Sequence, residues 1–303
     1  MKARSMLFTI FGDSVRYYGG EIATGSLIRL MGELGFSPGA VRVALARMAR
    51  QGWVKARKDG RRSFYALTDR GRMRIEYGTR RVYSLRHGPW DGLWRILSYS
   101  FPEARRGERD RLRRELIWLG MGPLANGTWI TPHDLIDYLK ELVVTHGIEE
   151  YVILFTARYT GTGGDQAVVR RCWDLDRIAR WHRAFIAAFK PRFLALQKRF
   201  KGGDPPAESF CFVEKIRLVH EYRKSLFVDP WLPDALLPED WAGYEAARLF
   251  YDYYQLLAPR ARQFFEGVFE PPPGWTPPEA PVDPFQIEAA TPQFTVVSLG
   301  GMR

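Results

Sequence analysis

The sequence predicts a multidomain α+β chain, and three observations predict it. Ser37 to Leu67 reads as one capped helix followed at once by a basic hairpin. Leu93 to Tyr159 alternates apolar strands with two amphipathic helices, and Asp165 to Phe269 carries helical periodicity broken at Pro-rich corners. At 303 residues, 46% hydrophobic and 26% charged, the chain has material for about two or three globular domains.

Met1 to Tyr18 is read as a first helix, with Leu7, Phe8, Phe11, Val15 and Tyr18 on a broad apolar side and Gly19-Gly20 ending it. Thr24 is expected to cap a second helix whose Leu27, Leu30, Met31 and Leu34 face inward, with Gly35 stopping it. Ser37 then accepts from the free N–H groups of a third helix, and Pro38 suits its first position, where a missing donor is harmless. Val41, Ala44, Leu45 and Met48 form the inward stripe of this helix, leaving Gly39, Arg42, Val43, Ala46, Arg47 and Arg50 outward. Gly52 ends it, and Trp53 to Arg57 and Arg62 to Leu67 read as strands around Lys58-Asp59-Gly60-Arg61. Helix, glycine turn, capped helix and hairpin make a winged helix-turn-helix, closed by a helix from Thr68 to about Arg81.

Gly88-Pro89 marks a boundary. A strand at Leu93–Phe101, a helix at Arg105–Leu119, a strand at Thr128–Thr131, a helix opened by Pro132 and a strand at Tyr151–Tyr159 fit a ferredoxin-like α+β domain. Gly161–Gly164 is a break. Helices to about Phe200, from Glu208 to Phe227 and from Glu239 to Phe269 follow, giving an all-helical C-terminal domain. The expected division is therefore 1–86, 87–162 and 163–269, with a Pro-rich tail at 270–303 whose composition is that of an extended polyproline segment.

Charge is distributed unevenly. The net +11 is concentrated in Met1 to Arg86, which holds 3 Lys and 15 Arg against 3 Asp and 3 Glu, a balance of +12. The remainder has 27 basic against 28 acidic residues, so the cationic field belongs to the segment with the capped helix and hairpin, an electrostatic footprint for a phosphate backbone. Cys172 and Cys211 are too few for a disulfide scaffold and read as buried thiols. The histidines, His87, His133, His146, His182 and His220, form no catalytic or metal motif, so no catalytic residue, metal site or cofactor is expected. Gly12, Asp13 and Arg16 cut the N-terminal apolar run short of a membrane span or export signal, which leads to the expectation of a cytoplasmic protein without a membrane partner.

On the capped helix, Arg42 and Arg47 suit bidentate bonds to guanine, Val43 and Ala46 suit thymine methyls, and Ser37, Gly39 and Arg50 complete the candidate DNA face. Arg57, Lys58, Arg61 and Arg62 on the hairpin suit phosphates or the minor groove. Tyr65 and Leu67 read as core of the hairpin.

The stretches SMLFTIFGDSVRYYGGEI, AVRVALARMARQGWVKARKDGRRSFYALTDRG and YRKSLFVDPWLPDALLPEDW resemble the PaaX family, transcriptional repressors of bacterial phenylacetate catabolism. The likeness runs from about Ser5 to about Phe269 and leaves out the tail. It implies a winged helix-turn-helix, a central ferredoxin-like domain resembling CRISPR-associated nucleases and a helical C-terminal domain. It also implies a homodimer on double-stranded operator DNA and release by an aryl-acetyl-CoA thioester, phenylacetyl-CoA above all. For such an effector, Trp173, Arg177 and Trp181 fall at steps of four on one expected helix and offer rings and a guanidinium, although tryptophans at that spacing are usually core or interface. Arg223 and Lys224 either meet CoA phosphates or pair with Asp229 and its turn. Two other classes compete with a repressor. A metal-dependent nuclease built on the central domain would find its first acid only at Glu103, after the strand and beside Arg105 and Arg106; a nucleoid protein would use the same basic face without sequence preference.

Overall fold

The computed structural model describes residues 2–85, 89–278 and 282–290; His87, Gly88 and the tail beyond 290 lie outside the described residues. From Ala3 to Tyr83 the chain runs α1 (Ala3–Asp13), β1 (Glu21–Ala23), α2 (Thr24–Glu33), α3 (Pro38–Arg50), β2 (Val54–Asp59), β3 (Arg62–Leu67) and α4 (Asp69–Tyr83). The expected first helix is shorter than its periodicity: it stops at Asp13 and continues as a 3-10 turn over Val15–Tyr18. Thr24 is not a cap. It is the first residue of α2, and its hydroxyl donates to the Ser63 carbonyl of β3 at 2.8 Å. The three strands form an antiparallel sheet in the order β1-β3-β2, with Ala23 and Arg57 both opposite Phe64. Met6, Leu7, Ile10 and Phe11 of α1 are fully buried, as are Leu27, Leu30, Val41, Leu45 and Met48 of α2 and α3, on which α1 packs.

A second sheet follows: β4 (Trp94–Tyr99), α5 (Arg106–Trp118), β5 (Gly122–Ala125), β6 (Thr128–Thr131), α6 (Ile136–His146) and β7 (Val152–Ala157), with strand order β5-β6-β4-β7 and antiparallel pairing throughout. Ile96 lies opposite Ile130 on one side and Phe155 on the other. Gly127 holds the β5–β6 turn at φ +71, where a Cβ would stand 2.5 Å from the Tyr99 carbonyl oxygen. Pro132 stands ahead of α6, which begins at Ile136.

The helix expected from Asp165 to Phe200 is two, α7 (Gly164–Cys172) and α8 (Leu175–Lys201). Trp173 between them is extended (φ −138, ψ 136), and the Asp174 carboxylate accepts from the Arg177 N–H at 2.8 Å to restart the helix. Then come α9 (Glu208–Tyr222), α10 (Ala242–Val268) and α11 (Pro284–Ala290). The Pro-rich segment is partly anchored: Trp275 stacks on Tyr18 at 6.2 Å, and Phe285 is buried against Tyr83 and Tyr254.

The chain divides into two compact units. One comprises the described residues of 1–85, 184–223 and 245–288; the other comprises those of 86–183 and 224–244. In the second, α7 and the 232–236 turn cover the sheet through Trp94, Ile130, Val168, Val169, Cys172, Leu232 and Leu236. Cys172 and Cys211 are free, buried thiols.

Candidate nucleic-acid interface

Ser37 is extended (φ −67, ψ 152), and its hydroxyl oxygen accepts from the Ala40 N–H at 3.3 Å, so α3 starts where a cap followed by proline dictates. Val41, Leu45 and Met48 are fully buried and Ala44 nearly so. Gly39, Arg42, Val43, Ala46, Arg47 and Arg50 are all exposed, as is Ser37. Val43 leaves 69% of its surface in water on a face otherwise made of small and cationic groups. Among the described residues none of Arg42, Arg47 and Arg50 is held in an ion pair, so each guanidinium keeps its full donor fork.

The hairpin that follows turns at Gly60, φ +56, and lifts Lys58, Arg61 and Arg62 into solvent. Arg57 behaves differently from its neighbours. Its Nε donates to the Glu21 carboxylate at 2.9 Å and its guanidinium lies over the Phe64 ring at 5.2 Å, so it clamps β1 to the hairpin. The hydrogen bond to Glu21 raises its pKa. The clamp was not legible because it depends on a three-residue strand. Conversely, Lys55 of β2 and Arg29 of α2 are exposed cations that the motif reading passed over. The period-two alternation of Lys55 and Arg57 along the strand is the signal that points to the former.

Side-chain bonds fix the hairpin's base. The Thr68 hydroxyl donates to the Gly52 carbonyl at 2.6 Å and accepts from the Gly71 N–H at 3.1 Å, joining the end of α3 to the start of α4. Trp53 is held edge-on by Phe8 at 5.7 Å and covered by the Arg70 guanidinium at 4.2 Å. Helix and hairpin thus present their cations from one rigid frame.

The residues considered for an effector are placed separately. Trp173 lies outside α8; its indole Nε1 donates to the Gly120 carbonyl at 3.2 Å and its ring stacks on Trp94 at 6.2 Å. The single helical surface of Trp173, Arg177 and Trp181 is therefore not formed: only Arg177, exposed, and Trp181, half-buried with its ring against His182, share α8. Arg223 is turned inward. Its Nε donates to the Thr9 hydroxyl at 2.8 Å, its Nη2 donates to the Ser5 carbonyl at 2.7 Å and hydroxyl at 2.6 Å, and burial pulls its pKa down to about 10. Lys224 is exposed. Asp229 lies 2.7 Å from His182 Nε2 and accepts from the Trp231 N–H at 2.7 Å.

Three family profiles match along the chain: "PaaX-like protein" over residues 2–71, "PaaX protein central Cas2-like domain" over 87–169 and "PaaX-like protein C-terminal domain" over 173–267. The "Transcriptional repressor PaaX" of Escherichia coli (strain K12) is 33% identical over 264 residues, covering 86% of this chain and 82% of that protein. The chain belongs to the PaaX family. Among solved structures, "Uncharacterized protein Rv0674 from Mycobacterium tuberculosis" is 25% identical at a TM-score of 0.49, covering 86% of this chain and 96% of that one. The first PaaX match contains every candidate DNA contact from Ser37 to Arg62, and the PaaX C-terminal match begins at Trp173, where the chain breaks between α7 and α8. Among the described residues of this PaaX-family chain, no helix is long and apolar enough to cross a membrane, and no group of three or more His, Cys, Asp or Glu could hold a metal ion.

Proposed function

We propose that this PaaX-family chain is a cytoplasmic transcriptional repressor of a phenylacetate-type catabolic operon, acting as a homodimer on double-stranded operator DNA. In this reading α2, the turn and α3 are a helix-turn-helix whose wing is β2–β3, and the βαββαβ segment with its β5-β6-β4-β7 order is a ferredoxin-like spacer. The outward face of α3 carries the proposal. Val43 left in water beside Arg42 and Arg47, which have no ion pair among the described residues, over a buried stripe, is a face built to meet another surface. Small residues let it approach base edges, while the arginines bind guanine and Lys58, Arg61 and Arg62 fix the register on phosphates. Release is assigned to an aryl-acetyl-CoA thioester, with Arg177, Trp181 and Lys224 as its candidate contacts.

The test is a mobility shift on a promoter fragment of a phenylacetate-catabolic operon, with excess random competitor DNA and a panel of CoA thioesters. Retained binding under competitor and release by phenylacetyl-CoA are the expected results; binding lost to competitor would make the chain a nucleoid protein. The central match to a Cas2-like domain keeps a nuclease in view as a second reading. Its first acid, Glu103, lies 3.8 Å from Arg106 and 3.7 Å from Arg109, a cationic setting that opposes a divalent ion. Divalent-metal-dependent cleavage of DNA or RNA would overturn the repressor-only reading.

A further inference from the structure

α1 is buried nearly all round: Met6, Leu7, Thr9, Ile10, Phe11, Gly12 and Asp13 are all inaccessible, so it is the central helix of its unit and not a surface element. It packs directly on α3. Two of its buried residues are polar, and such groups require partners once water is removed. Several of those partners come from more than 200 positions away in the sequence. Lys215 Nζ lies 2.7 Å from Asp13 Oδ2, with side chains 7% and 0% exposed. Asp13 also accepts from the Tyr83 hydroxyl at 2.8 Å and the Ser14 hydroxyl at 2.8 Å. One turn earlier, the Thr9 hydroxyl lies 3.0 Å from His220 Nδ1 and accepts from Arg223 Nε, while Arg223 Nη2 holds Ser5.

From these bonds we infer that Lys215 and Arg223 are positioning residues of the DNA-reading head: they fix α1 against α9, and α1 fixes the tilt of α3. The inference rests on the reading of α3 as the DNA-contacting helix. Lys215 and Arg223 touch no DNA themselves. A planar guanidinium making three bonds to two residues one helical turn apart fixes rotation as well as position, which a hydrophobic contact does not. The second unit resumes at Lys224, immediately after Arg223, so α9 ends at the point where the chain passes from one unit to the other.

The experiment uses the full chain in four forms: wild type, Arg223→Met, Arg223→Lys and the charge-neutral pair Asp13→Asn with Lys215→Met. Amide hydrogen exchange of α3 in the free protein is the first readout, with the middle of α10 as reference within the same unit. The second is the ratio of operator to random-DNA affinity, measured where circular dichroism shows each variant folded. Arg223→Met is expected to speed α3 exchange at least tenfold relative to α10 and to lower the affinity ratio about tenfold, and Arg223→Lys to recover part of both. The neutral pair removes both charges, so no unpaired charge is left buried, and is expected to stay folded with intermediate α3 protection. Wild-type α3 exchange in folded Arg223→Met, or acceleration shared equally by α10, overturns the inference. If Arg223→Met does not fold, Arg223→Lys and the neutral pair are judged by the same comparison. A wild-type chain with no operator preference would overturn the repressor reading, while the exchange comparison would still decide the positioning role.

Discussion

Gly71→Ala sets helix propensity against packing, and the structure decides the sign. Gly71 lies in the first turn of α4, where Ala is the better helix former by about 0.8–1.0 kcal/mol. A Cβ there would stand 2.1 Å from the Trp53 carbonyl oxygen and 3.1 Å from its carbon. Neither side can yield without loss: Trp53 accepts from the Thr68 N–H at 3.2 Å, and its own N–H donates to the Met48 carbonyl at 3.0 Å. Relief costs about 1–3 kcal/mol in overpacking and about 0.5–1.5 kcal/mol for each weakened hydrogen bond, so a net destabilisation of about 2 kcal/mol remains after the propensity gain. Gly32→Ala is the control, because Gly32 is exposed in α2 and no atom would meet its Cβ within 4 Å. Scanning calorimetry is expected to show the midpoint falling by several degrees for Gly71→Ala and rising slightly for Gly32→Ala. Because Trp53 starts the hairpin, operator affinity should fall with Gly71→Ala as well. A stabilised Gly71→Ala with normal DNA binding would refute the seating of α4 on Trp53.

Arg47→Ala should leave stability within about 0.5 kcal/mol, as befits an exposed side chain with no partner among the described residues, and lower operator affinity by about 1–3 kcal/mol more than random-DNA affinity. Equal loss on both DNAs in a filter-binding titration would move Arg47 to the backbone. Arg61→Ala with Arg62→Ala should weaken both DNAs and flatten the slope of log affinity on log salt by about 0.9 for each phosphate that the hairpin no longer neutralises; an unchanged slope removes the hairpin from the interface. Burial pushes the Cys172 thiol up to about 11 and raises Cys211 as well. At pH 8 both should therefore resist iodoacetamide in the native chain and react in urea, read by mass spectrometry; rapid native labelling would show that their surroundings open.

Sequence reading succeeded where the determinants are local. Ser37, Pro38 and Gly52 define α3 through capping and φ, and the closing helix begins one residue after its expected start at Thr68, which caps it by accepting from the Gly71 N–H. It failed where a neighbour distant in sequence supplies the missing half. Glu21–Ala23 is too short to show alternation and becomes a strand only because β3 pairs with it. Gly122-Pro123 carries turn chemistry, yet β5 pairs with β6 there, and a Cβ on Gly122 would strike Cys172 at 2.6 Å. Trp173 broke an apparently continuous helical pattern because its indole bonds Gly120 and its ring covers Trp94. Within the candidate site, the exposed face of α3 was legible from periodicity. The engagement of Arg57 by Glu21 and of Arg223 by α1 was not, since nothing local distinguishes a free arginine from one held by a partner distant in sequence.

Under the proposed function, a unit whose central helix α1 is completed by α9 constrains how an effector would release DNA. A fragment ending near residue 86 would leave Asp13 without Lys215 and Ser5 and Thr9 without Arg223, so the basic segment is not a detachable reader on which a sensor merely hangs. Stripping one partner from a buried ion pair costs about 3–5 kcal/mol, whereas tenfold release of DNA needs a coupling of only about 1.4 kcal/mol. Release therefore does not require the Asp13–Lys215 pair to break. On the proposed mechanism, a ligand that favours a slightly rotated α9 would supply enough, with α1 turning with it and α3 following. In the proposed dimer the two α3 helices would have to stand about 34–36 Å apart, or a multiple of that, to enter successive major grooves, so a small rotation repeated in each protomer would misplace both at once. On the positioning role inferred above, the bonds of Asp13, Thr9 and Ser5 to Lys215 and Arg223 would carry a displacement of α9 through α1 to α3, and so to the DNA of the proposed complex.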